Sequence, residues 1–220
     1  MVIAIDGPAG AGKSTVARLV AQRLGYLYLN TGAMYRAITL KALQNKISLD
    51  DGKKLAQLAE KSNIAFDKHG EKIFLNGDDV SLDIRTPTID RNISAVVKHP
   101  ELRQVMVCQQ QAIGEKHNIV TEGRDVTTVV FPDADVKIYL DASLEERAKR
   151  RQTELKQKGY ELDVNQVQTD TAKRDEADIK REHGPLKLAD DAVLLDTTDM
   201  DIDQVVESIL EVVKRENYEP

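Results

Sequence analysis

The residues best suited to chemistry form a glycine-rich segment near the N-terminus. Residues 7–15 are GPAGAGKST and match G-x-x-x-x-G-K-[ST]. Glycines let successive backbone N–H groups point at a phosphate chain, and the positive end of a following helix adds to the attraction. Lys13 can neutralise β- and γ-phosphates, and the Ser14 hydroxyl can bind Mg²⁺. The segment predicts ATP or GTP binding by Gly7, Pro8, Ala9, Gly10, Ala11, Gly12, Lys13, Ser14 and Thr15.

Arginines form a second group of candidate site residues. Arg36 follows a predicted strand at 26–29, and Arg124 follows another at 119–121, so both belong at the carboxyl edge of a parallel sheet, where ligands collect. An arginine fork can hold a phosphate through two hydrogen bonds. Glu122 either supports the Mg²⁺ water shell or merely caps the strand end. These positions predict a phosphate-transfer site.

A charged segment from about 144 to 184 carries further candidates. Arg174, Asp178 and Arg181 have i, i+4, i+7 spacing, so a helix would place them on one face. A purely structural ion pair is the alternative, although arginine before aspartate is the weaker order for a helix. Another group shares a face at i, i+3, i+4 spacing and belongs either to a mobile lid or to a solvated helix face. Its members are Arg147, Arg150 and Arg151.

The elements that must position these residues alternate between buried strands and helices. VIAI at 2–5 is apolar and rich in β-branched residues, and similar runs recur at 26–29, 119–121, 136–140 and 193–195. The alternation predicts an α/β fold of the P-loop type, with a five-stranded parallel sheet and helices on both faces. Asn76-Gly77 favours a hairpin turn within a small antiparallel β insertion.

We therefore predict a single domain over residues 1–220. Its core comprises 1–60 and 93–220, including a short lid at about 144–184, and residues 61–92 form the inserted region.

Composition narrows the possible functions. The 220-residue chain has a net charge of −6, no tryptophan and 4% aromatic residues, which disfavours nucleic-acid binding. The single cysteine, Cys108, fits a reducing compartment and is predicted to be a small buried hydrophobe. We find neither a secretion signal nor an apolar run long enough to span a membrane, so we expect a cytoplasmic protein. The four histidines lack metal-ligand spacing.

The motifs together resemble the bacterial cytidylate kinases of the nucleoside monophosphate kinase family. The likeness covers nearly the whole chain and includes IDGPAGAGKST, TGAMYR, IRT at 84–86, EGRDVTTVVFPDADVKIYLDAS at 122–143, KRDEAD at 173–178 and HGPL at 183–186. It implies ATP-dependent phosphorylation of CMP and dCMP to CDP and dCDP, with Mg²⁺, by a monomer with no nucleic-acid or membrane partner. Thr31 replaces a common serine, and Val126-Thr127 replaces a common Met-Gly.

The resemblance also implies roles for individual residues. The acceptor phosphate would contact Arg36, Arg124 and Arg181, the ribose Arg174 and Asp178, and the cytosine Ser94, Arg103 and Asp125, with Thr31 also in the CMP site. The implied catalytic residues are Lys13, Arg124, Arg174 and Arg181. An aspartate can accept a hydrogen bond from the cytosine N4 amino group, whereas uracil presents an oxygen there, so UMP should bind less well.

Two other readings remain open. A kinase for another small acceptor, such as AMP or shikimate, would give Asp125 and Arg103 no obvious partner. A nucleotide-binding switch would need a guanine-reading N-K-x-D segment, which the sequence lacks.

Overall fold

A computed structural model describes residues 1–157 and 159–216 of the chain. Residue 158, inside the predicted lid, and residues 217–220, at the end of the predicted domain, lie outside the described residues. In chain order the elements are β1 Val2–Asp6, α1 Lys13–Leu24, β2 Leu27–Asn30, α2 Thr31–Gln44, α3 Gly52–Glu60, β3 Ile64–Phe66, β4 Ile73–Leu75, β5 Asp78–Asp79, α4 Pro87–Val97, α5 Pro100–Gly114, β6 Ile119–Glu122, β7 Val136–Asp141, α6 Leu144–Gln157, α7 Val164–Ile179, β8 Val193–Asp196 and α8 Ile202–Glu216.

The main sheet has five strands in the order β2-β6-β1-β7-β8, which confirms the predicted α/β class. β1 pairs in parallel with β7, with Ile3 opposite Val136, and β7 pairs in parallel with β8. Ile3, Ile5 and Ile138 are fully buried, as expected for strands covered on both faces. β8 was predicted to be buried but is an edge strand with Val193 and Leu194 exposed, because only one neighbouring strand covers it.

The chain divides into two units, Met1–Val20 with Val120–Pro220, and Ala21–Ile119. In the first unit, α8 buries Val205, Val206 and Ile209 along one face. α6 and α7 belong to the same unit and cover most of the predicted lid range. The glycine-rich segment that precedes α1 is therefore in one unit with both of these helices.

The second unit contains the small antiparallel sheet, in the order β3-β4-β5. Asn76 and Gly77 link β4 to β5 with φ angles of 55° and 96°, the left-handed conformation that a two-residue hairpin turn requires. The predicted hairpin is confirmed, and it lies within the range 61–92. The role of that range as an inserted acceptor region stays a prediction.

Two features of the side chains and helices complete the fold. Cys108 is exposed, so its predicted burial is wrong. α5 buries Leu102, Met106 and Gln110 along one face. Cys108 follows Met106 by two residues, or about 200° around the helix, so its side chain points away from that face. Among the described residues, no helix is long and apolar enough to cross a lipid bilayer.

Candidate active site

The glycine-rich loop connects β1 to α1 in a conformation that only glycine adopts readily at several positions. Gly7, Gly10 and Gly12 have φ angles of 147°, 79° and 89°. A Cβ atom on Gly7 would collide with the carbonyl oxygen of Leu140 in β7. The loop is therefore held tightly against the sheet, while α1 begins at Lys13 and presents its N-terminus to the loop.

Lys13 lies over its own loop and is the main positive charge there. Its Nζ donates a hydrogen bond of 2.6 Å to the carbonyl oxygen of Pro8, and the side chain is buried. Burial and, secondarily, repulsion from Arg124 hold the pKa of Lys13 well below its usual value, although Glu122 and Asp6 oppose the shift. An anion bound beside Lys13 would stabilise its charged form, so the site is electrostatically suited to a phosphate.

Ser14 and Glu122 bring two hard oxygen donors together. The Ser14 hydroxyl donates a 2.9 Å hydrogen bond to Glu122 Oε1 at the end of β6. Glu122 is only 7% exposed. Hydroxyl and carboxylate oxygens suit Mg²⁺, which keeps several waters and binds through few protein groups when phosphates supply the rest. No group of three or more His, Cys, Asp or Glu residues able to hold a metal occurs within 1–157 and 159–216. The residues thus fit an ion bound together with nucleotide phosphates.

Asp178 holds two of the predicted acceptor arginines. Arg124 Nε donates to Asp178 Oδ2 at 2.7 Å, and Arg181 forms an ion pair with the other oxygen of the same carboxylate. Asp178 is almost fully buried, whereas both guanidinium groups remain partly exposed. Two positive charges share one negative charge, so the cluster keeps a net positive charge suited to a second phosphate.

The predicted helix face needs one correction. α7 ends at Ile179 with Lys180 as its cap, so Arg181 lies beyond the helix rather than on it. Arg181 nevertheless reaches Asp178, three residues earlier. Arg174, one turn before Asp178, lies inside α7 and lines the cleft described below.

Asp6 fixes the segment that follows Arg124, a role that the sequence did not reveal. Its carboxylate accepts hydrogen bonds from the N–H groups of Val126 at 3.0 Å and Thr127 at 2.7 Å, and from the Thr127 hydroxyl at 2.6 Å. Val126–Val130 forms a single π-helical turn whose cap is the buried residue Asp125. Burial raises the pKa of Asp6, and the bonds from Thr127 and Val126 oppose that shift. The position of an aspartate at the end of a buried strand was its only sequence signal.

A cleft of about 1060 Å³ opens over the loop in the first unit. Its volume is at the upper end of typical ligand pockets. Of the three clustered arginines, Arg150 and Arg151 line it, whereas Arg147 is buried and points at the loop instead. Arg150 is held by Thr197 and Glu146, and Arg151 pairs with Glu154. The cleft is lined by residues 9–16, which span the loop and the start of α1, and its apolar lining includes Leu155, Leu162, Met200, Ile202 and Val205.

The remaining predicted acceptor residues belong to the second unit. Arg36 Nη2 pairs with Asp90 at 2.6 Å, and its Nη1 donates to the carbonyl oxygen of Ile84 at 3.2 Å. Thr31 is the buried first residue of α2. Arg103 is buried in α5, and Ser94 is exposed on α4.

The site combines a glycine-rich loop between a buried strand and a helix, Lys13 and Ser14 at the helix start, and Arg124 just after the neighbouring strand. These features define the class of P-loop phosphotransferases. A family model described as cytidylate kinase matches residues 3–215. The chain belongs to the cytidylate kinase family.

Individual relatives agree with that assignment. A cytidylate kinase of Caldanaerobacter subterraneus subsp. tengcongensis is 50% identical over 213 residues, which cover 97% of this chain and 94% of that protein. A cytidylate kinase of Bacillus subtilis is 48% identical over 217 residues, which cover 98% of this chain and 97% of that protein. An uncharacterized protein from Eubacterium ventriosum has a crystal structure that matches with a TM-score of 0.54 and 12% identity, covering 97% of this chain and 98% of that one. The last likeness concerns the fold alone.

Proposed function

We propose that this protein transfers the γ-phosphoryl group of ATP to CMP and dCMP, forming CDP and dCDP. The observation that carries the proposal is the arginine cluster around Asp178. Arg124 lies close enough to Lys13 to lower the pKa of the lysine ammonium group. Asp178 binds both Arg124 and Arg181 through its carboxylate. A phosphotransferase needs such a second positive position beside its loop, because donor and acceptor phosphates repel each other.

The donor half of the proposal uses the loop. ATP would occupy the cleft with its phosphates on the N–H groups of the loop and on Lys13. Ser14 would hold the Mg²⁺ that accompanies ATP, with Glu122 beside it. When bound, the ion neutralises developing charge on the β- and γ-phosphates.

The acceptor half follows the family resemblance. Arg36, Arg124 and Arg181 would hold the CMP phosphate, Arg174 and Asp178 the ribose, and Asp125 the cytosine amino group. An oxygen of the CMP phosphate attacks the γ-phosphorus, and a new P–O bond forms as the bond to the β–γ bridging oxygen breaks, which releases ADP. The catalytic contribution of Lys13, Arg124, Arg174 and Arg181 is to stabilise charge and align the two phosphates.

Three further residues complete the proposed acceptor set. The resemblance assigns Thr31, Ser94 and Arg103 to CMP. Their residue types support the assignment, since hydroxyl and guanidinium groups can donate to the ring nitrogen and carbonyl oxygen of cytosine.

The cellular setting is part of the same proposal. We propose a cytoplasmic protein, because its single cysteine fits a reducing compartment, and a monomer, as the family resemblance implies. We propose neither nucleic acid nor membrane as a partner, since the net charge is −6.

The test is an assay that couples ADP formation to a spectroscopic signal. ATP and Mg²⁺ are offered with CMP, dCMP, UMP, AMP or shikimate separately, and omission of the acceptor measures background ATP hydrolysis. We expect strong turnover with CMP and dCMP, weak turnover with UMP and background rates otherwise. Silence with CMP, or preference for another acceptor, would show that the acceptor assignment is wrong while leaving the loop assignment intact.

A further inference from the structure

Ala9, in the middle of the glycine-rich loop, has both of its backbone polar groups held by side chains from distant helices. Its N–H donates to Asp175 Oδ1 of α7 at 2.9 Å. Its carbonyl oxygen accepts from Arg147 Nη1 of α6, also at 2.9 Å. The loop is therefore fixed at this residue by two side chains that follow it in sequence by more than a hundred positions.

The two side chains also hold each other. Arg147 pairs with Asp175 Oδ2, and Arg147 Nε donates to the carbonyl oxygen of Ala142 at 2.9 Å. Arg147 is 8% exposed and Asp175 is 9% exposed, so the pair is shielded from solvent. Neither Arg147 nor Asp175 is among the described residues that line the cleft. The two side chains therefore act on the loop rather than on a ligand.

The backbone of α6 adds a steric component at the neighbouring position. A Cβ atom on Gly10 would lie 2.8 Å from the carbonyl oxygen of Arg147 and 3.1 Å from its Cβ. Glycine at this position thus lets the loop pack directly on the helix that carries Arg147. The hydrogen bonds restrict Ala9, and the close packing restricts Gly10, the next residue of the loop.

We propose that Arg147 and Asp175 are positioning residues that hold the phosphate loop in its receiving conformation and join it to the helix that carries Arg174 and Asp178. A loop with several left-handed glycines has large conformational freedom, and ordering it only upon nucleotide binding would weaken affinity. The connection through Asp175 also fixes the distance between the loop and the acceptor arginines of the same unit. The statement about the acceptor arginines rests on the proposed function, whereas the statement that the two residues hold the phosphate loop concerns nucleotide binding alone.

Asp175→Asn is the principal variant. The amide oxygen can still accept from Ala9, but the amide nitrogen now faces the Arg147 guanidinium, donor against donor. Arg147→Lys keeps the charge and loses the fork that spans Ala9, Ala142 and Asp175. The matched control is Glu176→Gln, which removes a carboxylate one residue further along the same helix, where Glu176 is exposed and paired with Lys180 at 2.5 Å.

The first measurement is the dissociation constant of ADP by calorimetry, without acceptor, alongside the melting temperature. For Asp175→Asn we expect ADP to bind about tenfold more weakly, whereas Glu176→Gln stays within about twofold of the wild type. In the double variant, Arg147→Lys should add little to Asp175→Asn, because both changes break one connected unit. Unchanged ADP affinity in Asp175→Asn, an equal loss in Glu176→Gln, or a loss accounted for by the unfolded fraction would overturn the proposal.

Turnover supplies the second measurement. We expect kcat of Asp175→Asn to fall about tenfold or more, while the KM for CMP changes by less than about threefold, because misalignment affects the transfer step more than acceptor binding. A rise in the KM for CMP with unchanged kcat would contradict the positioning role. If the wild type does not use CMP, the proposed function fails, and the ADP measurement still decides whether the two residues position the loop.

Discussion

The hydrogen bond from the Thr127 hydroxyl to Asp6 gives a prediction whose size follows from the structure. The bond is 2.6 Å long and joins a hydroxyl to a fully buried carboxylate, and Thr127 is 2% exposed. Hydrogen bonds to charged groups contribute about 1.5–3 kcal/mol. Thr127→Val keeps the side-chain shape and removes only the donor, so we expect the free energy of unfolding to fall by about 2 kcal/mol.

The pH dependence separates this bond from ordinary packing. Burial raises the folded-state pKa of Asp6 above its usual value of 3.8, and the Thr127 side chain is the largest influence that lowers it. Between those two pKa values the folded chain binds more protons than the unfolded chain, so this contribution to stability falls as pH rises. Thr127→Val raises the folded-state pKa further. Its destabilisation should therefore be largest near neutral pH and shrink as pH falls through that raised pKa.

The assay is urea unfolding at a series of pH values from about 8 down to about 4, with Thr127→Ser as the matched control. Serine keeps the hydroxyl and loses a buried methyl, so its cost of about 1 kcal/mol should not change with pH. Because Asp6 and Thr127 hold the segment after Arg124 and Asp125, the valine variant should also lose kcat/KM for CMP more than the serine variant. If both variants lose the same free energy at every pH in the series, the hydroxyl bond contributes nothing and the expected pH dependence is refuted.

Three substitutions test the assigned site residues. Lys13→Ala should abolish turnover without lowering the melting temperature, because its buried charge is already disfavoured; near-normal turnover would remove the phosphate-loop assignment. Asp125→Ala should raise the KM for CMP and narrow the preference for CMP over UMP while ATP affinity is unchanged, and equal losses for both substrates would argue against base recognition. Arg181→Lys should lower kcat/KM for CMP about tenfold or more despite its conserved charge; a mild effect in the same coupled assay would place Arg181 outside the acceptor site.

What could be predicted from the sequence is what depends on neighbours in the chain. The glycine-rich loop works through consecutive backbone N–H groups, so the motif at residues 7–15 can be recognised without knowledge of the rest of the fold. The hairpin at Asn76-Gly77 is equally local, since two left-handed residues suffice to reverse a strand. The predicted strands lie within a residue or so of the observed ones, because each is a short apolar run at a sheet position.

The errors within helices α5 and α6 concern the direction in which individual side chains point. Cys108 lies in an apolar pattern, but tertiary packing selects the row of Leu102, Met106 and Gln110 for burial. Arg147 shares a helical face with Arg150 by spacing, yet only Arg147 is turned onto Ala9. Helical spacing shows which residues share a face of the helix, but it does not show what each of their side chains contacts.

Long-range carboxylates were beyond sequence reasoning for a related reason. The sequence assigned no role to Asp6 or Asp175, but each carboxylate accepts a hydrogen bond from a backbone N–H group more than a hundred residues away. A buried carboxylate is costly without hydrogen-bond donors, and for these two acids the donors include backbone N–H groups of a loop, which the carboxylate holds in one conformation. Asp6 does this for the segment after Arg124, and Asp175 does it for the phosphate loop. Each of these two segments is thus fixed by an acid to which neither the motifs nor the family resemblance assigned a role.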